Sequence, residues 1–534
     1  MNKKEIVEDF LGKSYLVSPC FLESFDEDNN FLDDFSKRIR ENEKIVVLNK
    51  DLLFLLKNKS GFFETNWFEF EKSRTNLEKG KDTKIYDTFL KMLFGEVPVL
   101  DIERGKVISK LEEEHNSVIV KNFLEEENKK REVDSFVNYF RTRYDAMKKI
   151  LMNRAELQNV VSINRVINKK DRDTVALIGL VNDKRTTKNG NIILNIEDKT
   201  GSINIIVNKT RERLFKLAKD LVLDEILGVV GFNGEGIVFV TDLFLPDVPR
   251  DKEIKKINED IYLGFISDIH VGGKNFLEKE FLKFIDWLNG KCENKEHIKV
   301  SSKIKYLFVL GDLVDGVGVY PDQEKNLAIL DVKAQYDRLA YYFSLIRGDI
   351  KIIVCPGNHD ALRLSVPQPI LDKDLASEMH KLKNVILVTN PAWVNVISSE
   401  NFPGFDILMY HGNSFHYYID NVDSLRLGNA RDYPTLVSKF LLQRRHLAPT
   451  HGSTLYLPNE TEDHLIIDKI PDIFACGEMH RSDIGNYNNI ILINSSCWQS
   501  KTDYEEKVGT NPDPGKFIVL NLRNREVNIF KFYE

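Results

Sequence analysis

The stretch "IKYLFVLGDLVD" (residues 304–315) joins an apolar run to a polar ending. A run this continuously apolar is typical of a strand buried on both faces of its sheet, as in α/β layered folds. Asp312 and Asp315 follow the run, at the end of the predicted strand. Because polar residues at the carboxyl ends of strands converge on one edge of a layered sheet, the stretch predicts a site at that edge.

Four further stretches repeat this form: "FISDIH" (265–270), "IVCPGNHD" (353–360), "LMYHGNSFH" (408–416) and "FACGEMHRS" (474–482). The polar residues that they deliver are Asp268, His270, Asn358, His359, Asp360, His411, His416, Glu478 and His480. Any one stretch alone is typical of a surface turn or a helix cap. Five in order, each after an apolar run, indicate instead a shared metal centre.

The side chains in these stretches offer carboxylate, imidazole and amide ligands, a set that suits Mn, Fe, Zn or Mg. They are numerous enough for two divalent ions. Two ions ~3.5–4 Å apart can stabilise both the attacking and the leaving oxygen of a phosphoryl displacement. Ten of the eleven histidines follow residue 260, which places the expected chemistry in the C-terminal half.

The composition bounds the class of protein. A chain of 534 residues predicts several domains, and 42% hydrophobic with 29% charged residues is typical of globular proteins. No apolar run approaches the ~20 residues of a membrane span, and the first residues lack an apolar signal core. With five scattered cysteines, we expect a cytoplasmic protein with reduced thiols and no membrane partner. A net charge of -7 limits any nucleic-acid contact to a local basic surface, metals or a partner.

The chain before residue 260 divides into three predicted parts. Short amphipathic segments predict a small helical N-terminal module at 1–95, and mixed charges predict a linker at 96–135. At 136–250 we expect a helix followed by a barrel domain. The helix carries a basic face, for which we favour packing over nucleic-acid contact. Three strands, a helix and two strands between 174 and 245 are the order of a five-stranded OB barrel, which binds either single strands or a protein.

The motifs D-x-H, G-D-x-x-D, G-N-H-D, H and G-E-x-H after residue 251 resemble the calcineurin-like metallophosphoesterase superfamily. This resemblance implies an α/β double-sheet sandwich at 251–534, so the whole chain is expected to be multidomain. It also implies a two-metal centre whose metal ligands are Asp268, His270, Asp312, Asn358, His411, Glu478 and His480. Asp312 would bridge the ions, while His359, oriented by Asp315, would protonate the leaving oxygen. His416 and His451 are possible phosphate contacts, although a structural histidine is the favoured interpretation for each.

An OB barrel upstream of such a domain is similar to the small subunits of replicative DNA polymerases. Eukaryotic members have largely lost the metal ligands, and a chain that keeps most of them resembles the archaeal family D group. This resemblance implies a large catalytic polymerase subunit as partner, DNA with a primer 3′ end as substrate, and 3′-to-5′ exonuclease activity. The alternatives are an architectural subunit with an impaired nuclease, and a free-standing phosphoesterase or repair nuclease.

Glu478 departs from the superfamily pattern, which has histidine at this position. Three interpretations remain open. The carboxylate ligates the second metal; it accepts a hydrogen bond from a bound water; or the second site is weak and the nuclease impaired. We favour ligation, because a dead site would leave the other ligands as costly buried polar groups.

Overall fold

The structure is a computed structural model that describes residues 117–123, 130–169, 172–399 and 401–533, and the backbone of 16–17, 47–48 and 106–111. The chain forms two compact units, Met1–Asp101 and Ile102–Glu534. In the first unit, β1 (Leu16–Val17) pairs in parallel with β2 (Val47–Leu48). Apart from this strand pair, the helical module predicted at 1–95 lies outside the described residues.

The second unit contains a barrel and a two-sheet sandwich. Its strands are, in chain order, β3 (Lys106–Leu111), β4 (Val118–Phe123), β5 (Thr174–Thr186), β6 (Ile192–Asp198), β7 (Gly201–Val207), β8 (Ile226–Asn233), β9 (Ile237–Phe244), β10 (Tyr262–Ile266), β11 (Ile304–Leu310), β12 (Lys351–Cys355), β13 (Val385–Leu387), β14 (Ala392–Val396), β15 (Phe405–Met409), β16 (Ile473–Cys476), β17 (Asp483–Tyr487), β18 (Ile490–Asn494), β19 (Lys516–Asn521) and β20 (Val527–Lys531). Its α-helices are Val133–Leu151, Ile163–Ile167, Glu212–Lys219, Glu278–Leu288, Lys295–Ser301, Val332–Ser344, Ser377–Lys381, Phe415–Asn421, Asp423–Leu427, Thr435–Arg444 and Asp503–Val508.

Strands β5 to β9 form a closed barrel in the order β5-β6-β7-β9-β8. The helix Glu212–Lys219 lies between β7 and β8, as the sequence predicts for an OB barrel. Apolar residues alternate along β6, where Ile192, Leu194 and Ile196 are buried and the two residues between them are partly exposed. This alternation fills the barrel interior and leaves the other face to solvent. The predicted OB fold is therefore confirmed.

The sandwich consists of two sheets with an apolar layer between them. One sheet has the order β13-β12-β11-β10-β19-β20 and the other β17-β18-β16-β15-β14-β4-β3. Strands β10 to β13 are parallel, so that their carboxyl ends meet at one edge. Phe265 and Phe308 stack at 5.2 Å within the layer, where Met409 from the other sheet is also fully buried. The predicted double-sheet α/β sandwich is confirmed.

The sequence predicts a linker at 96–135, but the structure describes two strands there, β3 and β4. For these residues the prediction is wrong. Strand β4 pairs antiparallel with β14 of the sandwich, and β3 pairs with β4. Val118 and Val120 are 1% and 2% exposed and belong to the layer between the sheets. The apolar alternation there spans only a few residues between highly charged flanks, so charge dominates the sequence signal. The barrel is consequently inserted between strands of the sandwich, and the remaining boundaries of the four predicted domains stay predictions.

The helix Val133–Leu151 is attached to the sandwich through a buried polar network. Arg143 Nε lies 2.6 Å from Asp463 Oδ2, Tyr139 donates to Asp463 Oδ1 at 2.8 Å, and His446 Nε2 lies 2.9 Å from the same carboxylate. Burial and the charge of Arg143 lower the pKa of His446 to about 4. For Arg143, the structure therefore supports packing over nucleic-acid contact.

A second buried contact fastens the barrel to the sandwich. Arg444 Nε lies 2.8 Å from Glu225 Oε2, and both side chains are 2% exposed. Arg444 also donates to the carbonyl of Asp220 at 2.7 Å. Burial lowers the pKa of Arg444 and raises the pKa of Glu225, which indicates that desolvation of the two charges is costly.

No helix within the described ranges is both long enough and apolar enough to cross a membrane.

Candidate metal centre

Five of the predicted ligands share an uncommon backbone conformation. Their φ angles are +51° (Asp268), +54° (His270), +50° (Asp312), +69° (Glu478) and +53° (His480). Few residues other than glycine adopt this left-handed region, and the strain persists where the surrounding structure enforces it, most often at functional sites. The strand ends of β10, β11 and β16 thus turn sharply and direct these side chains to one place.

Asp268, His270 and His480 form the first group of candidate ligands. His270 Nε2 lies 3.3 Å from His480 Nε2, which lies 3.4 Å from Asp268 Oδ1. His480 donates its Nδ1 proton to Glu505 Oε1 at 2.7 Å, which leaves Nε2 as the ring nitrogen that can ligate a metal ion. Within the described residues, the buried Asp268 Oδ1 has no hydrogen-bond partner. Such converging donor atoms fit a divalent cation.

His411, Asn358 and Glu478 form the second group. His411 donates its Nδ1 proton to the carbonyl of Leu310 at 2.7 Å, which leaves Nε2 as a ligand atom. That Nε2 lies 2.9 Å from Asn358 Oδ1 and 2.8 Å from Glu478 Oε2. Glu478 Oε2 is buried and lacks hydrogen-bond geometry toward any described residue. The position of Glu478 therefore fits a carboxylate that ligates a metal ion.

Asp312 lies between the two groups. Its Oδ2 is 3.8 Å from His270 Nε2, and its Oδ1 is 3.4 Å from His411 Nε2. Burial acts to raise the pKa of Asp312, but the charges of His411 and His359 hold it well below its usual range. The Asp312 carboxylate thus lies within 3.8 Å of one imidazole from each group, and its bridging role stays a prediction.

Two glycines allow the backbone to pass close to the side chains of His411 and Asp312. A Cβ atom on Gly311, whose φ is +92°, would lie 2.5 Å from His411 Nδ1. A Cβ atom on Gly357 would lie 2.3 Å from Asp312 Oδ1. Any larger residue at either position would displace a candidate ligand.

His359 lies beside the two groups, with its ring 4.7 Å from the ring of His270. Its Nδ1 is 2.8 Å from the backbone carbonyl of Asp315 and 4.0 Å from the Asp315 carboxylate. The backbone of Asp315, rather than its side chain, is therefore the closer orienting group. Burial acts to lower the pKa of His359, but Asp312 and the Asp315 carbonyl raise it above its ordinary value.

The two remaining candidate histidines lie in different places. His416 is half exposed, and its Nε2 is 3.5 Å from Glu478 Oε1, beside the second group. His451 instead lies 2.7 Å from the hydroxyl of Tyr456 through Nδ1, against the edges of Phe136 and Phe140. The structure thus places His451 in an aromatic cluster with the helix Val133–Leu151, outside the two ligand groups.

The structure adds supporting residues that sequence reasoning missed. Glu505 binds His480, and Thr502 donates to its other oxygen at 2.8 Å through both N and Oγ1. Burial opposes ionisation of Glu505, but the contact with His480 lowers its pKa to about 2. The T-x-x-E spacing signals a helix start, but nothing in the sequence pairs Glu505 with a histidine. Gln323 donates to the carbonyl of Asp315 at 2.8 Å.

Asp360, which follows His359, is a structural residue. It accepts hydrogen bonds from the backbone N–H of Gly357 at 2.8 Å and from the hydroxyl of Tyr336 at 3.1 Å. Burial raises the pKa of Asp360 to about 7. The residue fixes the loop that carries Asn358 and His359.

Fold and site together define a calcineurin-like phosphoesterase domain combined with an OB barrel. Residues 261–482 match the family of calcineurin-like phosphoesterases, and residues 175–232 match the OB-fold nucleic acid binding domain. The DNA polymerase II small subunit of Methanothermobacter thermautotrophicus is 32% identical over 517 residues, which cover 97% of this chain and 98% of that protein. The chain therefore belongs to the family of DNA polymerase II small subunits.

A second relative is consistent with this family. The DNA polymerase II small subunit of Methanocaldococcus jannaschii is 37% identical over 394 residues, covering 73% of this chain and 64% of that protein. A solved structure described as a novel archaeal phosphodiesterase covers 51% of this chain and 99% of its own, at 12% identity and a TM-score of 0.25. The structural similarity is too low to support an argument.

Proposed function

We propose that this chain is the 3′-to-5′ exonuclease subunit of a two-subunit DNA polymerase and hydrolyses the terminal phosphodiester of a primer. The observation that carries the proposal is the position of Asp312. Its carboxylate lies between His270, which converges with Asp268 and His480 closely enough for one divalent ion, and His411, which adjoins Asn358 and Glu478. An architectural subunit has no need of such a cluster, whose buried and partly unpartnered polar atoms are costly.

Two groups of residues would hold the ions. Asp268, His270 and His480 would hold one ion, Asn358, His411 and Glu478 the other, and Asp312 would contact both. Bound Mn, Mg, Fe or Zn ions supply a water of lowered pKa and stabilise charge on the phosphate. The pKa of Asp312 is held well below its usual range, so this carboxylate cannot serve as a proton donor at neutral pH, and we assign that role to an imidazole.

His359 is the candidate proton donor to the leaving 3′ oxygen. The Asp315 carbonyl accepts the Nδ1 proton, so the ring presents Nε2 on its opposite side. The raised pKa favours a proton on Nε2 near neutral pH. Gln323, by holding the same carbonyl, keeps the ring oriented.

The proposed partners follow from the relatives and from the two domains. Proteins named small subunits of DNA polymerase II support a large catalytic subunit as partner. The OB barrel supports contact with the single-stranded part of DNA at the primer end, although protein docking by the barrel remains the alternative.

The test is degradation of a 3′-mismatched primer by the purified chain, alone and with the large subunit, in Mn²⁺ or Mg²⁺. We expect metal-dependent shortening from the 3′ end, and its loss by at least about 10²-fold in Asp312→Ala, because both ions lose a ligand. Absence of degradation under both conditions, with no effect of Asp312→Ala, would support the architectural alternative.

A separate measurement addresses Glu478. Metal content after dialysis is compared between the wild type, Glu478→Ala and Glu478→Gln. If Glu478 ligates, both variants retain fewer ions, and the Gln variant, which keeps an oxygen, loses less. Two ions per chain in Glu478→Ala would remove Glu478 as a necessary ligand.

A further inference from the structure

The loop 316–326, here called the rim loop, exposes apolar side chains beside the candidate proton donor. Val317, Val319 and Tyr320 are 49%, 38% and 39% exposed. Single exposed apolar residues are ordinary, but three within four positions at the border of a catalytic cluster require an explanation. The ring of Tyr320 lies 6.5 Å from the ring of His359, at an interplanar angle of 59°.

Hydrogen bonds hold the rim loop at both ends, so its apolar side chains are kept exposed by the surrounding structure. Buried Gln335 accepts from the N–H of Gly316 at 2.9 Å, and buried Gln323 accepts from the N–H of Val319 at 2.8 Å. At the other end, the N–H of Lys274 donates to the carbonyl of Asn326 at 2.8 Å. The loop is thereby tied to segments that carry Asp315 and His270.

The position of the loop relative to His359 is also fixed. Gly316 has a φ of +75°, and a Cβ atom there would lie 2.3 Å from the carbonyl oxygen of His359. The backbones of the two segments are thus in direct contact. The hydroxyl of Tyr320 accepts from Asn326 Nδ2 at 3.3 Å, which limits rotation of the ring.

We propose that Tyr320, flanked by Val317 and Val319, is a stacking platform for the unpaired nucleobase at the 3′ end of the strand. The inference rests on the proposed function, which puts the terminal phosphodiester next to His359. A base attached to that nucleotide lies within reach of the Tyr320 ring. Stacking on an aromatic ring tolerates every base, which suits an enzyme that must remove any nucleotide.

The platform also explains how an unpaired end would be preferred. A base in a matched pair must be unpaired and unstacked before it can contact Tyr320, whereas a mismatched base costs less to extrude. The rim loop therefore acts as a determinant of specificity for frayed ends, without contacts to any particular base.

The experiment uses a single-stranded oligonucleotide with 2-aminopurine as its 3′ base, because stacking quenches the fluorescence of this analogue. We expect the wild-type chain and Tyr320→Phe to quench and bind alike. Tyr320→Ala and Tyr320→Leu should lose the quenching and bind roughly 5- to 150-fold more weakly. The Leu variant keeps a branched apolar side chain but no ring, so it separates loss of the ring from loss of apolar contact. Tyr341→Ala, which removes another exposed tyrosine, is the matched control and should bind as the wild type does.

Two outcomes would overturn the platform, namely unchanged quenching in Tyr320→Ala and equal losses in the Phe and Ala variants. The readout does not require hydrolysis. Quenching that depends on Tyr320 in a chain without nuclease activity would refute the proposed function alone, and hydrolysis without such quenching would refute the platform alone.

Discussion

At the scale of single residues, the two ligand groups differ in chemical character. The first group presents two imidazoles and one carboxylate, whereas the second presents one imidazole and the oxygens of Asn358 and Glu478. Oxygen ligands favour Mn²⁺ and Mg²⁺, while imidazole favours Zn²⁺. The two positions are therefore expected to select different ions.

This difference predicts the effect of restoring histidine. In Glu478→His, the ratio of bound Zn²⁺ to Mn²⁺ should rise about tenfold or more, since an imidazole replaces a carboxylate. The ratio is measured by elemental analysis after equilibration with both ions, with Glu478→Gln as the control for lost charge. An unchanged ratio in Glu478→His would contradict the assignment of Glu478 as a ligand.

Glu505 supports a second prediction. Because its carboxylate holds the Nδ1 proton of His480, Glu505→Gln should weaken binding of one ion by about 10- to 100-fold, as for other residues that orient metal ligands. The glutamine can still cap the helix Asp503–Val508, so stability should change little. Calorimetric titration with Mn²⁺ measures the change. The exposed neighbour serves as control: Glu506→Gln should bind as the wild type does.

The strand-end ligands and Glu505 differ in how far the sequence can predict them. Asp268, Asp312 and His480 are predictable because each follows an apolar strand, and parallel strand ends meet by geometry. Glu505 is not predictable, because its contact with His480 depends on how a later helix packs. The orienting role of the Asp315 carbonyl is equally invisible, since every residue has a backbone carbonyl.

At the scale of elements, β4 is the clearest difference between expectation and structure. The five barrel strands are predictable from their alternation and turns, whereas β4 is short, lies between charged flanks and finds its partner far along the chain. Its burial depends on β14, which no local pattern near residue 120 reveals. Whether a short segment joins a sheet thus depends on a partner strand that lies far away in the sequence, and local composition does not reveal it.

Val120 provides the test of β4. Truncation of this buried side chain in Val120→Ala should lower the free energy of unfolding by about 2 kcal/mol, through lost apolar burial and a residual cavity. Ile119→Ala, which changes the opposite and partly exposed face of the same strand, should cost less. Urea unfolding measures both. Equal small effects would show that β4 does not contribute to the core.

The network of the helix Val133–Leu151 predicts a pH dependence. The pKa of His446 is about 4 in the folded chain and about 6.5 when unfolded, so the unfolded state binds more protons between these values. Above about pH 6.5, His446 does not lower the free energy of unfolding. As the pH falls towards 4, protonation of His446 in the unfolded state should lower this free energy by about 3 kcal/mol. Burial acts to raise the pKa of Asp463, but Arg143 holds it below its usual range. The contribution of Asp463 to the free energy of unfolding is therefore lost only at still lower pH.

His446→Gln isolates this effect, because glutamine does not titrate and can still donate to Asp463. In urea unfolding between pH 4.5 and 7.5, with chelator present throughout, the slope of stability against pH should be smaller in the variant. The other titrating groups are common to both proteins and cancel in the comparison. Identical slopes would contradict the assignment.

At the scale of the whole molecule, Glu225 and Arg444 decide how firmly the barrel is held. Glu225→Ala should cost about 3–5 kcal/mol, because it leaves Arg444 as an unpaired buried charge. The double variant Glu225→Leu with Arg444→Met should recover most of that loss, since apolar residues of similar bulk avoid the desolvation cost. Thermal unfolding compares the single and double variants. A double variant as unstable as the single one would show that the pair has a net stabilising role.

Because the barrel is inserted between strands of the sandwich, the sandwich can be completed only late in synthesis. Strand β4 leaves the ribosome before the barrel, but β14, with which it pairs in the sandwich, is made only after the barrel and strands β10 to β13. At typical translation rates this delay is on the order of tens of seconds. During that interval the barrel can fold while Val118 and Val120 remain without their partners. The sandwich therefore closes late, and a nascent chain of this protein exposes the apolar face of β4 until β14 is made.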